Sequence, residues 1–326
     1  MDLNEPACIY LAPGIYHEKI TINKPYLTIL GTGKSNKDVV LTYDDYALAP
    51  MADIGKLGTF RSYSVFIDTH DVTLQNLTIE NASGDSLTHG QAIALYADGD
   101  RLVIDSFRLI GHQDTLFTGP LPPKEIEPDG FIGPKQFAPR INGRQYYKNC
   151  YICGDIDFIF GSATAYFENC VIESLCHTTN VNDIQGYITA ASTPESQEYG
   201  YVFSNCKLIS KNCPPNSVYL GRPWRNYAKT VFLECALGNH IHECGFHDWK
   251  KEDARNTVLY AEYRNYPASS ADTTSNNRSL NDDIHCIDGR CIPYPHRAEY
   301  VCELDAVQAE HFSKENVLSG ADHWNP

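Results

Sequence analysis

Short runs of alternating apolar and polar residues recur along this chain, and few stretches carry the three-to-four spacing of a helix. Six runs align with one another: VTLQNLTIEN from Val72, LVIDSFRLIG from Leu102, QYYKNCYICG from Gln145, AYFENCVIES from Ala165, YVFSNCKLIS from Tyr201 and TVFLECALGN from Thr230. Each passes from apolar positions through one polar turn residue to Cys, Leu or Phe, and then alternates again. Four place cysteine at that point, after Asn or Glu. Strand units repeated at unequal intervals predict a solenoid whose turns pack on their neighbours. The expected fold is an all-β, right-handed parallel β-helix in a single domain, 1–326, with long loops on one face. A β-sandwich would want more even strand spacing and more Asn-Gly hairpin turns than the one in INGRQYY. Helical spacing is clearest in LDAVQAEHFSKENVL, which predicts a short C-terminal helical segment packed along the outside.

Composition narrows the classes of function. The 326 residues carry a net charge of -15, which argues against nucleic acid as a partner, since phosphate binding needs clustered Lys and Arg. No apolar run is long enough to span a bilayer and no charged-then-apolar leader follows Met1. On sequence alone the protein is expected in the cytoplasm as a monomer, or outside the cell if the N-terminus is trimmed. Twelve cysteines in a chain this long are not a small disulfide framework, and most read as small apolar core residues. Cys150 and Cys153 of CYIC lack a second half at zinc spacing, and Cys286 and Cys291 of CIDGRC are placed for a local bridge in an oxidising compartment. Among twelve histidines the tightest cluster is His240, His242 and His247, with no acid or Cys at familiar ligand spacing; no metal and no cofactor are expected. Asn76, Asn81 and Asn277 match glycosylation acceptors.

The chemistry starts from CGDIDFIFG. Asp155 and Asp157 sit among Ile, Phe and Gly, where an unpaired charge is costly. GIYHE from Gly14, GQAIAL from Gly90, GHQDTLF from Gly111, GDIDFIFG from Gly154 and YLGRPW from Tyr219 occur in this order. Together, over about Pro6 to Glu262, they resemble the signature blocks of the pectin methylesterases, β-helical carbohydrate esterases. The resemblance implies hydrolysis of methyl esters in homogalacturonan to methanol and free carboxylate. It makes Asp157 the nucleophile, Asp114 the general acid and then base, and Arg222 the residue that holds Asp157. Gln91 and Gln113 become the oxyanion donors. Trp224 is expected to stack on sugar, with Phe117 and Phe160 lining the groove.

Physical reasoning supports that division of labour. Two carboxylates split nucleophile and acid only when their surroundings separate their pKa values. A guanidinium gripping Asp157 favours its ionised form, whereas Asp114 beside a negative neighbour is pushed upward. Neutral amides suit the oxyanion because they donate without adding charge. No G-x-S-x-G elbow is present for a serine route. Asp155 is expected to turn outward or to cap the bend.

Three departures from the family pattern stand out. The chain starts almost at the GIYHE block, so the first turn is expected to need a cap or a partner. The Pro- and Gly-rich stretch 118–143 is expected to stand over the cleft as a loop, and 266–297 to form a surface excursion. Two rival functions share the same site or fold: action on a different ester or thioester, and non-catalytic carbohydrate binding.

Overall fold

The six aligned runs become six consecutive turns of a coil because each places a left-handed residue at the same point. In the computed structural model, which describes residues 5–52, 55–268 and 296–326, Asn76, Ser106, Asn149, Asn169, Asn205 and Glu234 all have φ between 52° and 55°. One residue in this conformation turns the chain sharply between two strands, and Asn tolerates it best among non-glycine residues. The residue after each bend, Leu77, Phe107, Cys150, Cys170, Cys206 or Cys235, points inward and is buried. The cysteines are therefore rungs of an internal ladder, small enough to pack at the corner of the coil.

Three parallel sheets result. Among the described residues they have ten, nine and seven strands. The first contains Val72–Gln75, Leu102–Asp105, Arg144–Lys148, Thr164–Glu168, Tyr201–Ser204 and Lys229–Leu233 in neighbouring positions. Register is set by like stacking on like: Tyr147, Phe167, Phe203 and Phe232 lie one above another, with centroids 4.6, 4.4 and 4.6 Å apart and rings within 11° of parallel. That spacing is the distance between hydrogen-bonded strands, so ring stacking and the backbone ladder reinforce one another. The fold is the right-handed parallel β-helix, as expected.

The seven-stranded sheet carries the long loops. Its order includes Val218–Gly221, Gly186–Ala191, Ile156–Gly161, Leu116–Thr118 and Leu95–Ala97 as successive neighbours. At one end of the coil Ile9, Tyr10 and Ile15 are exposed on first-turn strands. At the other, the expected C-terminal helical segment is two short helices, Ala306–Glu310 and Lys314–Leu318. Asp305 and Gln308 form a capping box on the first, and a new start at Ser313 breaks the run. Phe312, Val317 and Leu318 then pack on Tyr146, Tyr166 and Val202 along the outside of the first sheet.

Among the ten described cysteines, half are buried, while Cys8 and Cys302 are exposed. Cys286, Cys291, Asn277 and most of the 266–297 stretch lie outside the described residues. No helix of the described residues is long and apolar enough to cross a membrane.

Candidate active site

Four of the sequence blocks meet because each enters or leaves a neighbouring strand of the seven-stranded sheet. Gln91 precedes Leu95–Ala97, Gln113 and Asp114 precede Leu116–Thr118, Asp157 lies in Ile156–Gly161, and Arg222 follows Val218–Gly221. All five side chains line one cleft of about 500 Å³. Both aspartates adopt positive φ, 67° at Asp114 and 50° at Asp157. Non-glycine residues in this region carry strain of a kind that clusters at functional sites.

Arg222 grips Asp157 with two parallel bonds, Nε to Oδ1 at 2.8 Å and Nη2 to Oδ2 at 2.7 Å. The guanidinium is sandwiched between the rings of Tyr187 and Trp249, its carbon 3.8 Å from each centroid. Planar guanidinium suits both contacts at once, which lysine would not. Burial pushes the Asp157 carboxyl up, and Arg222 and then Lys251 pull it back only in part. The arginine therefore limits the upward shift of Asp157 rather than reversing it, which corrects the sequence expectation. Asp114 is pushed well above the usual carboxylate range, first by burial and next by the charge of Asp157. The pair is thus split in the expected order: Asp157 ionises first and Asp114 keeps its proton to higher pH.

The cleft wall is aromatic. Trp224 stacks near-parallel on Phe60 with centroids 6.5 Å apart and meets Phe160 edge-on at 5.7 Å. Phe160 lines the cleft, as expected. Phe117 does not: it is fully buried behind the wall, 4.9 Å from Phe160, 5.0 Å from Phe60 and 4.7 Å from Tyr96. It lies on the same face of the sheet as its register partner Phe160, but Phe60, Tyr96 and Phe160 cover it, so it supports the floor instead of meeting a ligand. The 118–143 stretch does stand over the cleft, contributing Ile126, Glu127, Gly130 and Phe131. Phe131 packs edge-on against Phe60 and Trp224, and Arg140 ties the loop to itself through the carbonyls of Pro122, Lys135, Gln136 and Ala138.

Asp155 does not turn outward. It is 1 % exposed. It sits at the bend before Ile156–Gly161 and accepts the Ile156 N–H, and the positive φ of Asp157 and the irregular register between Ile156 and Ile159 interrupt regular alternation just beyond it. Sequence reasoning also missed Tyr187, Trp249, Arg225 and Lys251. Burial, then Arg225 and Arg222, push the Lys251 amine down to about 8. No block includes these residues: Tyr187 comes from the strand Gly186–Ala191 paired with that of Asp157, Arg225 directly follows Trp224, and Trp249 and Lys251 come from the segment before Glu252–Arg255. His242 and His247 use Nδ1 to accept the backbone N–H groups of Cys244 and Trp249, and His240 is buried, so the HIHECGFH cluster serves local turns.

Comparison with known proteins agrees with this geometry. The family model described as Pectinesterase matches residues 2–120 and 140–282, so most of the loop over the cleft falls between the two matched stretches. Pectinesterase 31 of Arabidopsis thaliana is 33% identical over 282 residues, covering 84% of this chain and 78% of that protein. Pectinesterase QRT1 of the same organism is 32% identical over 260 residues, or 78% of this chain; the chain spans 60% of that relative's length. A crystal structure of a pectin methylesterase in complex with a hexasaccharide superimposes with a TM-score of 0.71 at 26% identity, covering 99% of this chain and 91% of its own. PemA, a pectin methylesterase from Erwinia chrysanthemi, gives 0.70 at 26% identity, covering 99% of this chain and 90% of that one. The order of the blocks, the coil that gathers them and the extent of these matches together establish that the chain belongs to the pectinesterase family.

Proposed function

We propose that this chain hydrolyses methyl esters of homogalacturonan, releasing methanol and leaving free galacturonate carboxylates. One observation carries the reading: a buried aspartate, held at both oxygens by a stacked arginine, faces a second aspartate whose proton is retained, in a cleft walled by aromatic rings. An Asp157 oxygen attacks the ester carbonyl carbon. The charge that develops on the carbonyl oxygen is met by the side-chain amides of Gln91 and Gln113, which line the cleft and donate without adding charge. As the tetrahedral species collapses, the bond to methoxide breaks and Asp114 supplies the proton that makes it methanol.

The product of that step is an anhydride between Asp157 and the sugar acid. Asp114, now ionised, takes a proton from water as the water oxygen attacks the acyl carbon. The bond between the acyl carbon and the Asp157 oxygen breaks, which regenerates the Asp157 carboxylate; the galacturonic acid formed gives its remaining proton to solvent and departs as the carboxylate, with Asp114 again protonated. Trp224 and Phe160 offer apolar ring faces to the pyranose. Methanol release from methylated pectin tests the reading with wild type, Asp157→Ala and Asp114→Asn. The wild type is expected to release methanol and both variants to lose at least about a hundredfold in rate. A wild type that binds pectin without releasing methanol, or an Asp157→Ala variant of undiminished rate, would overturn it.

A further inference from the structure

Next to the reacting pair, the buried Asp155 and Ser86 and the half-buried His112 and His177 form a cluster that this mechanism does not use. Asp155 Oδ2 accepts a hydrogen bond from Ser86 Oγ at 2.6 Å and lies 3.4 Å from His112 Nδ1 and 3.8 Å from His177 Nδ1. Its Oδ1 takes the backbone N–H of Ile156 at 2.6 Å. The Ser86 hydroxyl also meets His177 Nδ1 at 2.9 Å. Burial opposes the charge, but His112, His177, Ser86 and the Ile156 N–H outweigh it and hold the carboxyl down at about 2. Asp155 is thus a standing negative charge at any working pH.

The cluster joins segments that deliver the proposed catalytic groups. Ser86 opens the helical turn Ser86–His89, which leads directly into Gln91. His112 immediately precedes Gln113 and Asp114, and Asp155 precedes Asp157 by two residues. Backbone bonds lace the last two segments together, Asp155 N–H to the His112 carbonyl at 3.2 Å and Asp114 N–H to the Ile156 carbonyl at 3.1 Å.

We infer that Asp155 is a positioning residue: its carboxylate, through Ser86 and His112, holds the Gln91 and Gln113–Asp114 segments in register with Asp157 and sets a fixed negative charge behind Asp114. The inference rests on Asp114 and Asp157 being the reacting pair. The charges that act on Asp114 are those of Asp157, Arg222 and Asp155, and Asp155 in turn is faced by His112, His177 and the Ser86 hydroxyl, with the Cys213 thiol also within its field. Two negative neighbours favour the protonated form of Asp114, so removing one lets it ionise at lower pH.

Two variants separate charge from position. Asp155→Asn keeps the shape and removes the charge; Ser86→Ala keeps the charge and removes one anchor. Both are compared with wild type by thermal unfolding, by kcat and KM for methanol release across pH, and by carbon-13 NMR titration of the Asp114 carboxyl, assigned with Asp114→Asn. Asp155→Asn is expected to move the Asp114 titration and the matching limb of the rate profile to lower pH, with kcat down roughly 10- to 100-fold and KM little changed. Ser86→Ala is expected to lower kcat on the order of tenfold with the limb unmoved. A folded Asp155→Asn protein with an unmoved Asp114 carboxyl overturns the inference, as does a kcat within about twofold of wild type for both variants. The NMR arm needs no turnover, so a wild type that releases no methanol counts against the proposed function while the titration still decides this one.

Discussion

Replacing Arg222 by Gln removes the charge opposite Asp157 and leaves at most one of the two bonds, 2.8 and 2.7 Å long, that hold it. Breaking a buried ion pair by removing one partner costs about 3–5 kcal/mol when the other charge stays behind. Loss of the guanidinium between Tyr187 and Trp249 adds roughly 1–2 kcal/mol. The carboxyl escapes part of the cost by binding a proton, because burial then acts on Asp157 with less opposition and moves it further up. A carboxyl raised in the folded state binds more protons folded than unfolded, so the stability deficit of the variant grows as pH rises. Near neutrality the loss is expected at about 3 kcal/mol, which is roughly 4–5 °C in Tm for a chain of this size. The rate falls on the order of a hundredfold at neutral pH and recovers partly at alkaline pH, where Asp157 ionises without its arginine. Thermal unfolding and methanol release run in parallel between about pH 5 and pH 9 measure both. A variant with the wild-type pH profile and a deficit independent of pH would refute the reasoning that Arg222 governs the ionisation of Asp157.

Four further outcomes are expected. Phe203→Ala opens the stack between Phe167 and Phe232 and should cost about 3–5 kcal/mol in denaturant unfolding; a loss under about 1 kcal/mol would mean the rings add little to the ladder. At Asn169, with φ 54°, Asn169→Val should destabilise by about 1–2 kcal/mol while Asn169→Gly stays near neutral, and equal effects would remove the left-handed bend as the reason for the repeat. Phe131→Ala strips the loop's contact with Phe60 and Trp224 and should raise KM several-fold with a smaller change in kcat, measured on methylated pectin. Net charge alone argues for looser binding of de-esterified product at low salt, yet Arg225 and Lys251 stand in the cleft against Glu127, and near charges outrank distant ones; product binding is therefore expected to tighten as ionic strength falls, and calorimetry showing the reverse would contradict it.

Much of this molecule is legible in its sequence. The bend positions Asn149, Asn169 and Asn205 and the cysteines that follow them are local signals, because a left-handed residue and a small inward one are demanded by the turn itself. Asp114, Asp157, Arg222, Gln91 and Gln113 were legible through the blocks that hold them. Phe117 faces the cleft side, in register with Phe160, yet is covered there by Phe60 and Tyr96 from other turns, and such cover is not written in its own segment. Asp155 does meet the backbone at its bend, through the Ile156 N–H, but is not turned outward, because Ser86, His112 and His177 from other segments enclose it.

The chain's own pattern determined the coil, its corners, its aromatic and cysteine ladders and which short motifs bear reactive groups, since all of these are set by residues close in sequence. The stacking of turns decided the rest. Residues 20 to 100 positions apart, such as Phe131 and Trp224 or Ser86 and Asp155, become neighbours only when strands about 4.8 Å apart lie side by side. The Tyr187–Arg222–Trp249 sandwich and the ionised Asp155 behind Asp114 exist only at that level, because burial and field strength belong to the packed structure and to no single segment of the chain.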